Sequence, residues 1–187
     1  MPAIIALAED KLWRVRLAII ENIPLLASQL GVVFFDEKLS PLCMAWLGDC
    51  VFSIRDAATQ NLRKLTTVFG GEWARKSIIP KITILAQHSN YLYRMTTVFA
   101  LLSITQSEKC TPVICRECCL PTLLLLATDP IPNIRFNVAK ALGSIAESFK
   151  NAGLKWADES IKPVLVRMRD DTDEDVKYFS GQSLGMF

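Results

Sequence analysis

Four of the six cysteines, Cys110, Cys115, Cys118 and Cys119, lie in one short segment, and thiolates at C-x-x-C spacing can hold zinc. A zinc site needs further ligands, but no second C-x-x-C follows and the single histidine, His88, lies far away in sequence. We therefore interpret the four cysteines as small residues packed on a helix. No basic and apolar leader opens the sequence, so we expect reduced thiols in a cytoplasmic protein, with the nucleus as the alternative.

Carboxylates crowd residues 170–175, where five acidic side chains could hold a cation. Their spacing lacks the glycine and the distal glutamate of an EF-hand, so we expect a solvated turn at a helix N-terminus. The sequence also lacks the glycine-rich loops of nucleotide-binding sites and the H-E-x-x-H of zinc proteases. We expect no catalysis, no metal and no cofactor, and we interpret His88 as a turn residue.

The composition favours a folded domain that neither binds nucleic acid nor spans a membrane. Of 187 residues, 51% are hydrophobic and 21% are charged, which excludes a disordered chain. The formal net charge is only +2, so nucleic acid is not an expected partner. The longest apolar runs are far shorter than the roughly 18 residues that span a bilayer, so no membrane segment is expected.

A pattern of an acidic residue, four variable positions, a β-branched residue and a cation recurs along the whole chain. It begins at Asp10, Asp49, Asp129 and Asp171, and His88 takes the place of the acid in the third copy. A proline stands eight residues before each of these five leading residues, at positions 2, 41, 80, 121 and 163. Repetition at this period is typical of stacked helical units.

Apolar residues between these marks recur every three or four positions, which predicts helices. We expect an all-α solenoid of about five helix pairs in a single domain, with approximate repeats 1–31, 32–70, 71–109, 110–153 and 154–187. The first helix of each pair carries the proline near its middle and should bend there. The leading acid should accept backbone N–H groups in the turn between the helices, and the cation should reach the acid of the adjoining unit. The second helix should begin near the β-branched residue.

This register of proline, acid, Val or Ile, and cation resembles the HEAT repeat over the whole chain. Longer strings, such as residues 10–21, 34–39, 43–47, 91–97 and 133–140, resemble the C-terminal repeats of the scaffold (structural A) subunits of type 2A serine/threonine protein phosphatases. That family has about fifteen repeats, so the resemblance implies a C-terminal fragment of a longer solenoid. It also implies binding to the phosphatase catalytic subunit, with B-type regulatory subunits held mainly by N-terminal repeats that this sequence does not include.

Large side chains stand three residues after the leading positions, where exposed turns should align as a ridge. They are Trp13, Phe52 and Tyr91, followed by Pro132 and Glu174. Rigid aromatic side chains in register suggest binding hot spots.

The resemblance implies that the catalytic subunit docks on this ridge through Trp13, Arg14, Phe52 and Tyr91, with Ile131 and Pro132 as an apolar extension. The predicted function is a non-catalytic scaffold. The alternative is a HEAT-repeat adaptor or transport module that binds an extended peptide on its concave face. A third possibility is that the aromatic residues only cover the core.

Overall fold

The computed structural model describes residues 2–150 and 155–187, and within these ranges it contains helices and turns but no strand. The repeat boundary predicted between residues 153 and 154 lies outside the described residues. The helical segments in chain order are α1 (Pro2–Ala8), α2 (Trp13–Leu30), α3 (Val32–Phe34), π1 (Phe35–Leu39), α4 (Ser40–Trp46), α5 (Phe52–Phe69), α6 (Gly71–Trp73), π2 (Ala74–Ile78), α7 (Ile79–Leu85), α8 (Tyr91–Thr105), α9 (Pro112–Ile114), π3 (Cys115–Cys119), α10 (Leu120–Leu126), α11 (Pro132–Lys150), α12 (Lys155–Ser160), α13 (Lys162–Met168) and α14 (Glu174–Leu184).

The long second helices stack in sequence order: α2 packs on α5, α5 on α8, α8 on α11 and α11 on α14. Each also packs against the shorter segments of its own pair, as α8 does against α7 and α14 against α13. The stack continues through buried hydrogen bonds to backbone carbonyls, in which Asn61 donates to Ile20 and Ser183 donates to Ala139. This arrangement confirms the predicted all-α solenoid.

The bend in the first helices is a wide turn that ends just before the proline. The amide of Ser40, the residue before Pro41, donates to the carbonyl of Phe35, five residues back. The same bond forms before Pro80 and Pro121, at the ends of π2 and π3. A proline ring collides with the carbonyl four residues earlier, and one turn of π-helix relieves that collision. Each of these three prolines is therefore the second residue of a new α-helical segment instead of lying in the middle of a uniform helix.

The three tryptophans outside the turns belong to the core, as their positions in or beside the first helices predicted. Trp46 is buried and donates its indole N–H to the carbonyl of Ala8 over 3.1 Å. Trp73 donates to Asp36 Oδ1 over 3.0 Å, and Trp156 is also buried. Aromatic bulk and a satisfied N–H together favour burial.

The clustered cysteines are packing residues too. Cys115 and Cys119 lie on π3 and are fully buried, and all six cysteines carry free thiols. Burial raises the pKa of the Cys43 thiol to about 12 and raises the pKa of Cys115 further, so neither forms a thiolate near neutral pH.

The turns between paired helices are each closed by the leading side chain. Asp10, Asp49, Asp129 and Asp171 accept the backbone N–H two residues later over 2.7 to 2.9 Å. In the third turn His88 does the same through Nδ1, which accepts from the N–H of Asn90 over 3.0 Å. The prediction that the leading acid accepts a backbone N–H in the turn is confirmed at the four turns that carry an aspartate.

Arginines connect successive turns through ion pairs that we call the turn ladder: Arg16–Asp49, Arg94–Asp129 and Arg135–Asp171. In each, Nε and Nη2 of the arginine face the two carboxylate oxygens at 2.7 to 3.1 Å. The remaining nitrogen, Nη1, donates to the carbonyl of the arginine's own leading residue. One guanidinium therefore closes its own turn and fixes the next turn at the same time.

The turn ladder should contribute measurably to stability. Asp129→Asn keeps an acceptor for the Ile131 N–H but removes the charge that binds Arg94, and we expect the free energy of unfolding to fall by about 1–3 kcal/mol. Asp10→Asn is the matched control, because Asp10 closes its turn without an inter-repeat ion pair among the described residues. Chemical denaturation measures both, and equal losses in the two variants would contradict the role of the ladder.

The same ion pairs make stability depend on acid pH. Burial alone would raise the pKa of Asp129, but hydrogen bonds from Arg94 and Ile131 outweigh it and lower the pKa. The hydrogen bonds from Arg135 lower the pKa of Asp171. A lowered folded-state pKa gives stability above the ordinary value of 3.8, and that stability is lost as pH falls through the folded-state value.

We expect the free energy of unfolding of the wild-type chain to fall between pH 6 and pH 3. The double variant Asp129→Asn, Asp171→Asn should lose less over the same range, because the two titrating groups are gone. Urea titrations at both pH values measure the difference. An identical loss in the two proteins would show that these carboxylates do not set the acid limit.

Candidate partner-binding ridge

The five positions that lie three residues after the leading residues are the first residues of the second helices. Trp13, Phe52, Tyr91, Pro132 and Glu174 begin α2, α5, α8, α11 and α14. The helices thus start two residues earlier than the β-branched residue near which the sequence placed their start. The physical reason is the leading side chain, whose bond to the N–H two residues later turns the backbone and allows the helix to begin at the next residue.

The side chains of the ridge residues differ in how much of their surface is exposed to solvent. The side chains of Phe52 and Tyr91 are 65% and 43% exposed. Trp13 and Ile131 are half-buried and pack against the core, and Pro132 is half-buried as well. Trp13 and Ile131 therefore present less free surface than Phe52 and Tyr91, because part of each side chain contacts the core.

Guanidinium groups accompany the aromatic rings of the ridge. Arg14 is exposed, and its Cζ lies 4.5 Å from the centre of the Trp13 ring. Arg55 holds a similar place at the Phe52 ring, at 5.8 Å. A cation over a ring face keeps both groups in place and presents nitrogen donors beside apolar surface.

Phe52 separates two grooves that run between second helices. The larger has a volume of about 360 Å³ and lies between α5 and α8, with α11 at its far side. Phe52, Tyr91, Met95 and Phe99 border it, together with Asn133 and Asn137 of α11. The smaller, of about 280 Å³, lies between α2 and α5 and includes Leu17. Sequence reasoning missed Met95 and Phe99, although they follow Tyr91 at successive intervals of four residues, which places all three on one helix face.

The acidic cluster is used within the fold. Asp171 belongs to the turn ladder, Asp173 caps α14 by accepting from the Val176 N–H, and Glu174 pairs with Lys177 at 2.7 Å. Across residues 2–150 and 155–187, no group of three or more His, Cys, Asp or Glu side chains could hold a metal ion. In the same ranges, no helix has the length and apolar character needed to cross a membrane.

Residues 181–185 form a G-x-S-x-G string, which in hydrolases marks a nucleophile on a strand-to-helix turn. Here Ser183 lies within α14, is buried, and donates its hydroxyl to the carbonyl of Ala139 over 2.8 Å. The single histidine of the chain belongs to the third turn. This serine therefore joins two packed helices through its hydroxyl.

The stacked helix pairs and their ladder of turns define an α-solenoid of the HEAT and armadillo class. Residues 119–149 match the HEAT repeat family model. A designed armadillo repeat protein, solved in complex with the peptide (KR)4, superimposes with a TM-score of 0.57 at 17% sequence identity. The match covers 98% of this chain and 80% of that one.

Among curated proteins, the chain is similar to the regulatory A subunits of protein phosphatase PP2A from two yeasts. It is 53% identical to the Schizosaccharomyces pombe protein over 99 residues, which are 53% of this chain and 14% of that protein. It is 44% identical to the Saccharomyces cerevisiae protein over 127 residues, which are 65% of this chain and 20% of that protein. These similarities confirm the resemblance to the scaffold subunits of these phosphatases, and the matched segment spans a fifth or less of the two relatives.

The different burial of the ridge residues predicts different costs of truncation. Phe52→Ala should change the free energy of unfolding by less than about 0.5 kcal/mol, because most of the ring already contacts solvent. Trp13→Ala should cost about 1–3 kcal/mol, because the half-buried indole packs against the core. Thermal and chemical denaturation measure both, and a larger loss for Phe52→Ala would contradict the assignment of its ring to the surface.

Proposed function

We propose that this chain is a non-catalytic scaffold segment that binds the catalytic subunit of a PP2A-type serine/threonine phosphatase on its ridge. The contacting residues are Trp13, Arg14, Phe52 and Tyr91, with Ile131 and Pro132 as an extension. The observation that supports this most is the pair of exposed aromatic rings, Phe52 and Tyr91, at equivalent positions of neighbouring repeats. The names of the two yeast relatives support the choice of partner.

Burial of the ridge would be energetically favourable. Covering a large apolar side chain contributes about 1.5–3 kcal/mol, and two aromatic rings stand mostly or partly in solvent here. The rigid helix starts hold the rings in place, so little side-chain entropy is lost on binding. Arg14 adds a fork of donors for a carboxylate or carbonyl of the partner.

In this proposal the scaffold acts by holding other subunits close together. A scaffold that holds the catalytic subunit on one set of repeats, with a substrate-selecting subunit on another set, raises the effective concentration of substrate at the active site. In this proposal the B-type regulatory subunits bind repeats that lie outside this chain. Six unpaired thiols fit the reducing conditions of the cytoplasm or nucleus, where we place this activity.

The test is retention of purified PP2A catalytic subunit by the immobilised chain. We expect Trp13→Ala with Tyr91→Ala to weaken affinity at least about 30-fold, which corresponds to a loss of about 2 kcal/mol for the pair of interface anchors. Circular dichroism should show unchanged helical content.

Ile84→Ala is the matched control. Ile84 is 73% exposed on α7, a first-helix segment away from the ridge, and its truncation should leave retention unchanged. Normal retention by the Trp13 and Tyr91 double variant would refute the ridge. Binding of an extended peptide along the second helices, unaffected by that variant, would instead favour the adaptor function.

A further inference from the structure

The turn ladder has one interruption, between the second and third repeats. Arg55 occupies the position of Arg16, Arg94 and Arg135, but the next leading residue is His88. Throughout the described ranges, no carboxylate lies within ion-pair distance of Arg55.

His88 performs only one of the two tasks of the aspartate that it replaces. Its Nδ1 closes the turn by accepting from the Asn90 N–H, and its ring stacks on Tyr93 with centres 4.1 Å apart. An imidazole in this position offers no second anionic acceptor to the preceding repeat. The turn geometry is therefore kept while the ion pair is lost.

Arg55 remains in the ladder conformation without its carboxylate. Its Nη1 donates to the carbonyls of Asp49 and Cys50 over 2.7 and 3.2 Å, as Nη1 does in the other arginines. Nε and Nη2, which bind aspartate in the three ion pairs, make no hydrogen bond within the described part of the chain. Arg55 borders the 360 Å³ groove together with Phe52, and its Cζ lies 5.8 Å from that ring centre.

We propose that the Nε and Nη2 edge of Arg55 binds a side-chain carboxylate of the docked phosphatase catalytic subunit, while a neighbouring apolar side chain of that subunit enters the groove. This inference rests on the proposed function and specifies one contact within it. Two of the intact pairs, Arg94–Asp129 and Arg135–Asp171, show the geometry, in which Nε and Nη2 donate to the two carboxylate oxygens over 2.7 to 3.1 Å. The partner's carboxylate thus takes the place of the aspartate that Arg55 lacks within this chain.

The charges around the groove favour a single carboxylate over a phosphate group. Asp56 also borders the groove and accepts from Gln60 over 2.8 Å. Its negative charge opposes a phosphate dianion more strongly than a singly charged carboxylate. The apolar border formed by Tyr91, Met95 and Phe99 suits a hydrophobic side chain next to the acid.

Affinity for purified PP2A catalytic subunit tests the contact with four versions of the whole chain: wild type, Arg55→Ala, His88→Asp and the double variant. Arg55→Ala removes the donors and should weaken affinity about tenfold or more, the usual cost of losing a charge-assisted hydrogen bond. His88→Asp supplies an acceptor within the chain, so it should raise the melting temperature and also weaken binding. In the double variant the two losses should not add, because both remove the same donors.

His88→Asn is the matched control, since it retains a turn acceptor without adding a charge, and its affinity should stay within about twofold of wild type. If Arg55→Ala and His88→Asp both bind normally while the Trp13 and Tyr91 double variant does not, this inference is overturned and the proposed function stands. If His88→Asp weakens binding equally with and without Arg55, the new carboxylate repels the partner directly and the inference is likewise overturned. Normal binding by the Trp13 and Tyr91 double variant would overturn the proposed function itself.

Discussion

The arrangement of the turns depends on an arginine fork that acts in two directions. Arg94 binds the carbonyl of His88 in its own turn through Nη1 and binds Asp129 of the next turn through Nε and Nη2. Because one planar group makes both contacts, each ion pair fixes the two turns that it joins relative to one another. The packing of each second helix on the next aligns their first residues, and the ladder adds a fixed register at the three junctions where an ion pair forms.

Because the second helices stack in the same orientation, their first residues lie along one surface, the ridge. Phe52 and Tyr91 are far apart in the chain, yet each begins a second helix directly after a turn closed by its leading side chain. The core does not need their rings, so these positions are free to serve a partner. Where the ladder is interrupted at Arg55, the donors that would hold the next turn face a groove between the same two rings.

The sequence predicted most of the fold because each unit uses the same few devices at the same spacing. The leading acids, the prolines and the cations at positions 16, 94 and 135 could all be identified by alignment of the repeats. The first residue of each second helix was harder to predict from the sequence, because it depends on a side-chain hydrogen bond to a backbone N–H. The half-burial of Trp13 and the groove formed with Phe99 depend on contacts between different helices, which spacing within one helix does not describe.

Hydrogen–deuterium exchange of the chain with and without purified PP2A catalytic subunit tests the central claim most directly, because it locates the contact without any substitution. Docking on the ridge predicts slower exchange in the turns and helix starts at residues 10–16, 49–55 and 88–94, with unchanged exchange in α4, α7 and α10. Binding accompanied by protection of those first-helix segments, with no change at the three turns, would contradict the account.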